Sequence, residues 1–397
     1  MDSIKLAVFG SGPLFPTVKP TSNFARPDLR TVMEYSRAAF HEKNCTNDGS
    51  LIKLLESRLA KFHHTAHCVT FSGCFWALVF AIKAVAVPNK REVIFPSLTY
   101  RRMDDIVSWS GFVPHFCDVD EKSLSITPKA IIPCINENTA LILAPHPIGG
   151  CCPSNEIEQF GVSHGIPTLF DSVECQYEIC ADRKIGSFSR AECFSLHASK
   201  LINGLEGGYV TTNDSELAEK LHSAKHFGLK SQDGSFVGCG INFGSNEIHA
   251  AVALASLEEL ESHLVVNKKL YHTYKQLLPR IPGLRLLEQD ENHRPSHKSI
   301  VVELLDNWPL TREQTLTILS AENALARPYY SPLHKRRAVY PTISEALPVT
   351  ERLANRFLIF PSGHHVTVSD IEKIINLLET IWHHGNYIAK KMKELGK

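Results

Sequence analysis

Thr168-Leu169-Phe170-Asp171 and, further on, Cys193-Phe194-Ser195 are short apolar runs that each end on a polar group. The same form recurs in Val93-Ile94-Phe95-Pro96, His115-Phe116-Cys117-Asp118, Leu141-Ile142-Leu143-Ala144 and Tyr209-Val210-Thr211. Apolar runs this short, without polar alternation, read as strands buried on both faces, as in a mostly parallel sheet. Helical spacing lies between most of them, for example from Asn155 to His164 after Pro153. Strand and helix in alternation are the pattern of an α/β layered domain. In such a sheet the loops at the carboxyl ends of the strands carry function, which puts Asp171 and Ser195 where chemistry is expected.

Working outward, Asn47-Asp48-Gly49-Ser50 gives a turn and a helix start, and Leu51, Leu54, Leu55 and Leu59 then share one helical face with Arg58 at its border. On the other side the pattern is helical from Asn246 to about Leu278 and breaks at Pro282-Gly283. A domain change falls inside this region. A strand at Ser299 to Leu304, a helix at Thr311 to Ala321 and a terminal helix from Ser369 to about His383 then read as a smaller α+β domain. The expected division is residues 1–255, a large domain with an N-terminal arm, and residues 256–397, a small one.

The 397 residues carry 42 Lys+Arg against 42 Asp+Glu, which argues against a nonspecific nucleic-acid binder, whose affinity needs a cation surplus. At 43% hydrophobic and 21% charged the composition is that of a soluble globular protein. No signal-peptide core or membrane-length apolar run is present. Eleven cysteines, an odd count without a regular framework, fit free thiols in a reducing cytoplasm. Gly10-Ser11-Gly12 after Leu6 to Phe9 lacks the third glycine of a dinucleotide fingerprint and runs into Pro13. His63, His64, His67 and Cys68 have no matching Cys/His pair, so no metal site is expected. The terminal Lys390, Lys391, Lys393 and Lys397 read as a solvated helix face.

Three features gain meaning together. Asp171, at the end of an apolar strand, needs a cationic or hydrogen-bonding partner to stay ionised. Ser195-Leu196-His197-Ala198-Ser199-Lys200 gathers a hydroxyl, an imidazole and an amine at the end of a later strand, and Glu206-Gly207-Gly208 turns tightly into the next. Lys200 is expected to have its pKa lowered by desolvation and a nearby cation, as suits an amine that forms a Schiff base with a carbonyl cofactor. Pyridoxal phosphate also needs an anion at its ring nitrogen, which Asp171 would supply.

The Ser195 to Lys200 stretch, Asn203 to Asp214, Leu169-Phe170-Asp171, Thr46-Asn47-Asp48-Gly49, Pro96-Ser97-Leu98-Thr99-Tyr100, Gly240-Ile241-Asn242 and Leu347 to Ala354 together resemble the DegT/DnrJ/StrS family. These are fold-type I pyridoxal-phosphate aminotransferases that mostly act on nucleotide-linked keto sugars. The resemblance implies a large domain with a mostly parallel seven-stranded sheet flanked by helices, and a smaller C-terminal α+β domain. It implies that Lys200 holds pyridoxal 5'-phosphate as an aldimine and that Asp171 pairs with the pyridinium nitrogen. Ser72, Gly73 and Cys74 would receive the phosphate at a helix amino end, Ser195 would add a hydroxyl, and Tyr100 would stack on the ring. Asn242 would reach the phosphate of a partner subunit, so a homodimer is implied. His197 lies near by spacing, and Tyr330 and His334 match the family's aromatic and histidine positions near the acceptor. The basic run Lys335-Arg336-Arg337 reads equally as a diphosphate contact or a solvated turn.

Departures are Cys74 where Thr is usual, Glu174 where Gln or His faces the ring, and Gly244 where a basic residue is common. The implied activity moves an amino group from an amino acid, L-glutamate, to a nucleotide-linked keto sugar through a pyridoxamine phosphate form, without membrane or nucleic acid. Amination of a non-sugar ketone, such as a cyclitol or a natural-product intermediate, and a non-catalytic pyridoxal-phosphate-binding regulatory protein remain as alternatives.

Overall fold

In a computed structural model, which describes residues 4–22, 25–41, 48–229, 238, 240–336 and 339–395, the apolar runs form the strands that their composition predicts. In chain order the strands are β1 (His67–Phe71), β2 (Glu92–Pro96), β3 (Val113–Cys117), β4 (Thr139–Pro145), β5 (Thr168–Asp171), β6 (Ile179–Cys180) and β7 (Arg183–Lys184). They continue as β8 (Glu192–Ser195), β9 (Gly208–Thr212), β10 (Leu284–Leu286), β11 (Ile300–Leu304), β12 (Arg327–Pro328), β13 (Ile343–Ser344) and β14 (Phe357–Phe360). All seven side chains of β4 are buried, as its lack of alternation requires.

The main sheet has the order β1-β9-β8-β5-β4-β2-β3-β13. Only β9 runs against its neighbours; the other pairings are parallel. The sheet thus has eight strands where seven were expected. The six apolar runs account for β2, β3, β4, β5, β8 and β9; the sequence reading left out β1, and β13, two residues from the C-terminal part of the chain, is too short to leave a periodic signal. Register levels the ends that matter: Pro145 pairs Asp171, Asp171 pairs Cys193 and Ser195 pairs Gly208.

Helices cover both faces. The helix Ser50–His63 buries Leu51, Ile52, Leu55 and Leu59, and the Glu247 carboxylate accepts from the Leu51 and Ile52 N–H groups at its start, 2.9 and 3.2 Å away. Thr46 and Asn47 lie outside the described residues. The helical stretch after Asn246 is two helices, Glu247–Glu258 and Leu260–Leu277.

The second core surrounds an antiparallel sheet of order β10-β11-β14-β12. Its last helix, Val368–Glu394, opens with a Thr367/Asp370 capping box and runs well past His383, because Ile388 and Met392 prolong its buried stripe. The N-terminal segment belongs to this core: Leu6, Val8 and Phe15 are buried in it. The Glu322 carboxylate accepts from Ala7 N and Leu14 N, both at 2.7 Å. Residues 7–9 form a single 3-10 turn rather than the strand a dinucleotide fold would need. Between the two cores, Leu98, Val119 and Ile148 meet Val301, Tyr329 and Phe357.

Candidate active site

The carboxyl ends of β2, β4, β5 and β8 open on one side of the main sheet, beside the seam between the cores. Asp171 closes β5 and is 7% exposed. Its side chain accepts one hydrogen bond among the described residues, from Val173 N at 3.3 Å. Burial pushes its pKa up to about 7, against the Val173 N–H and the charge of Lys200. A buried carboxyl so poorly satisfied invites a cationic N–H donor.

Lys200 Nζ donates to Glu174 Oε1 at 2.6 Å, and Lys298 Nζ donates to Glu174 Oε2 at 2.7 Å. Burial works to raise the Glu174 pKa, but the two ammonium groups and their hydrogen bonds hold it down at about 2. For Lys200, burial works to lower the pKa, and the charge and hydrogen bond of Glu174, with Asp171 behind it, outweigh burial and raise it. This corrects the expectation of a lowered amine: the nearest cation, Lys298, acts on Glu174, and Glu174 acts on Lys200.

The helix Cys74–Val85 starts beside this group with Gly73 as its cap residue and no side-chain cap. Its first bond is Ala77 N to Gly73 O at 3.2 Å. Among the described residues the N–H groups of Gly73, Cys74, Phe75 and Trp76 therefore donate to no protein acceptor, as an anion site at a helix amino end requires. Ser72 N donates instead to Phe243 O at 2.9 Å. Opposite, Gly208 comes so close that a Cβ there would lie 2.5 Å from the N and Cα of Cys74, which gives the Gly207-Gly208 pair its physical reason. Ser195, the register partner of Gly208, lies at the same cradle, with its Oγ accepting from His197 N at 3.2 Å. The Cys74 thiol is raised by burial, and the charge of Asp171 adds to that.

Tyr330 joins from the segment after β12 of the small sheet. Burial raises its pKa, and the charges of Glu174 and Asp171 and the phenol of Tyr100 bear on it. Tyr100 is itself 43% exposed. His334 Nδ1 bonds Ser97 Oγ at 2.7 Å and its Nε2 faces Glu351 at 3.3 Å, so it locks the segment after Tyr330 onto the loop after β2. His197 faces outward, bonded to Ser199 Oγ at 2.8 Å. Asn242 is exposed in a β-bridge with His226. Of the basic run, Arg336 is taken up by Asp104 and Lys335 lies 3.3 Å from Glu351, while Arg337 lies outside the described residues. His63 is a core imidazole, bonded to Ile185 O at 2.6 Å and Tyr209 OH at 2.9 Å.

Sequence reasoning missed Lys298 and also Gln176, whose side chain ties Ser195 O to Ile202 N at 2.8 and 3.2 Å. Lys298 follows His297, a residue at φ 50°. That kinked step has no periodic signature. It also missed the grouping of His146, Cys151 and Cys175, whose donor atoms lie within 4.8 Å of one another.

The profile of the DegT/DnrJ/EryC1/StrS aminotransferase family matches residues 30–379. The chain belongs to this family. It is similar to the dTDP-4-amino-4,6-dideoxy-D-glucose transaminase of Escherichia coli, at 24% identity over 90% of this chain and 97% of that one. It is also similar to the GDP-perosamine synthase of Caulobacter vibrioides, at 26% identity over 84% of this chain and 90% of that one. Among solved structures, that of DesI in the presence of its TDP-sugar product superposes with a TM-score of 0.91 at 27% identity, covering 98% of this chain and 99% of that one. The DegT/DnrJ/EryC1/StrS chain is thus a pyridoxal-phosphate-dependent aminotransferase. Its residues fit the cofactor: an under-bonded buried carboxyl for a pyridinium N–H, an amine, and four free backbone donors for a phosphate. Among the described residues no helix is long and apolar enough to cross a membrane.

Proposed function

We propose that this aminotransferase moves an amino group from L-glutamate to the keto group of a nucleotide-linked sugar. The observation that carries the reading is the group of buried Asp171 with half-buried Glu174 and Lys200 beside the open amino end of the Cys74–Val85 helix. The acceptor class is supported by the relatives, whose names place them on dTDP-, GDP- and TDP-linked sugars. Bound pyridoxal phosphate supplies a carbonyl that exchanges between amines and a ring that takes up electrons. The N–H groups of Gly73 to Trp76 and the Ser195 hydroxyl hold the phosphate, and Asp171 accepts the ring N–H. Tyr100 and Tyr330 border the ring's site. Lys200 Nζ would carry the donor's α-proton to the cofactor carbon in the first half and, in the second, carry a proton from that carbon to the acceptor's, while Glu174 steadies the proton on that nitrogen in transit.

Asn242 and Ile241 are exposed next to Phe243, which stacks on Trp76 at 4.0 Å, so this strip would be the route by which a second copy shares the phosphate site. A homodimer in the reducing cytoplasm follows from this reading, with the described cysteines free.

The test is a two-stage assay on protein loaded with cofactor. Glutamate should bleach the visible band, a dTDP- or GDP-linked keto sugar should restore it, and mass spectrometry should find the amino sugar. Lys200→Ala should abolish both stages. An unimpaired Lys200→Ala variant, or restoration only by non-sugar ketones, would overturn the proposal.

A further inference from the structure

Cys151, in the loop after β4, and Cys175, which directly follows Glu174, bring their sulfurs to 3.8 Å from each other. Cys175 Sγ also donates to Gly150 O at 2.9 Å. Cys151 is half-buried and lines a cavity with Gly150, Glu174, His293 and Lys298. His146 is 2% exposed, and its Nδ1 accepts from Cys152 N at 3.1 Å, which leaves the ring proton on Nε2. That Nε2 is buried with no hydrogen-bond partner among the described residues. A ring nitrogen of His146 lies within 4.8 Å of both sulfurs.

We propose that Cys151 and Cys175 form a peroxide-reactive modification site, in which Cys151 is the attacking thiol and Cys175 resolves it into a disulfide. The Cys151 sulfur attacks one oxygen of a hydroperoxide, the O–O bond breaks, and the second oxygen leaves with the thiol's proton as water (or alcohol). Cys151 is then a sulfenic acid. The Cys175 sulfur attacks it, the S–S bond forms, the S–O bond breaks, and a water leaves with the proton of Cys175. Two thiols are oxidised and one peroxide is reduced.

Cys151 is suited to the first step by its place: it is half-buried and lines the cavity, whereas Cys175 is buried with its thiol proton given to Gly150 O. It is also the one described cysteine whose pKa is lowered, by its contacts with Cys175 and His293. The other described thiols are pushed up, chiefly by burial. The second step needs only a short approach, since the sulfurs must close from 3.8 Å to the bonded distance of about 2.05 Å. The chemistry of the pair does not depend on the aminotransferase reading. Its consequence does: moving Cys175 moves its neighbour Glu174, and so the carboxylate that holds Lys200 and Lys298.

The test treats cofactor-loaded protein with hydrogen peroxide and maps unreduced peptides by mass. The expected product is a Cys151–Cys175 link, and iodoacetamide should label Cys151 at least about tenfold faster than any other cysteine. Cys175→Ser should stop at a sulfenic acid on Cys151 that a 1,3-diketone traps; Cys151→Ser should give neither product. Uniform oxidation of many thiols, a link through Cys152 instead, or stoichiometric zinc protecting the pair would overturn the proposal. Amino transfer should fall on oxidation and return with a dithiol reductant; an oxidised protein with unchanged turnover refutes the coupling to Glu174. If the untreated protein shows no cofactor band or turnover, the functional reading fails, while the peptide map still judges the pair.

Discussion

Glu174 is the residue on which the site's charges balance. It is a half-buried carboxylate with one ammonium from the main-sheet side and one from the small-sheet side, and when Lys200 is engaged elsewhere Lys298 is the counterion that remains. Lys298→Met should therefore cost about 1–3 kcal/mol of stability, as removing one hydrogen-bonded partner of a half-buried charge does while Lys200 stays on Glu174, and the double variant Glu174→Gln/Lys298→Met should recover part of it. Urea unfolding of the four proteins checks this; a double variant as weak as Lys298→Met would show that lost packing dominates. Asp171 predicts a pH dependence. Its folded pKa of about 7 exceeds the ordinary 3.8, so the cofactor-free protein binds the extra proton between these values and loses stability as pH rises through that window. Thermal melts of the cofactor-free protein against Asp171→Asn should diverge toward pH 7 and above, with the wild type the lower. The comparison with the variant is needed because burial also lifts Glu192 to about 7. Asp171 and Lys200 were legible in the sequence because they follow strands whose ends composition marks. Lys298 was not, since its place depends on the left-handed step at His297 and on the docking of the second core.

At the scale of elements, the phosphate cradle is a helix amino end placed against a strand that has no side chain there. Gly208→Ala would put a methyl group 2.5 Å from the backbone of Cys74, so either β9 or the start of the helix must shift. The free N–H groups would then point away from a common centre, and affinity for pyridoxal phosphate should fall at least about tenfold, since well-aligned charge-assisted hydrogen bonds are each worth about 1.5–3 kcal/mol. Titration of the cofactor-free variant by fluorescence measures this, and unchanged affinity would mean the helix end does not hold the phosphate. Strands with uninterrupted apolar runs were legible to within a residue or two, because burial on both faces leaves no other composition. The two-residue β13 and the last turns of the helix Val368–Glu394 were not. The first is too short for a period, and the second is held by the N-terminal segment, with Lys391 Nζ 4.2 Å from the Phe9 ring.

For the whole molecule, the question is how two cores hold one site at the seam. Asp171, Glu174 and Lys200 come from the main-sheet side, and Lys298 and Tyr330 from the small-sheet side, so the constellation exists only while the two are docked. Apolar contact supplies area there, but direction comes from Asp118 at the end of β3. Its carboxylate accepts from Val349 N at 3.0 Å and from Thr350 N and Thr350 Oγ1 at 2.7 Å each, across the seam. These donors belong to the start of the helix Pro348–Leu353, so one side chain caps a helix that lies in the seam and leads into β14. Asp118→Ala leaves these three donors and Val119 N, which also gives to the carboxylate at 2.9 Å, unpaired at a half-buried position and should lower stability by about 1–3 kcal/mol, read as a lower urea midpoint. The cofactor's phosphate and ring nitrogen should still bind, since their partners lie on the main-sheet side, whereas turnover should fall because Lys298 and Tyr330 lose their fixed distance to Glu174. A variant that keeps full turnover with a lowered midpoint would separate the two roles and show that Asp118 stabilises the seam without aligning the site.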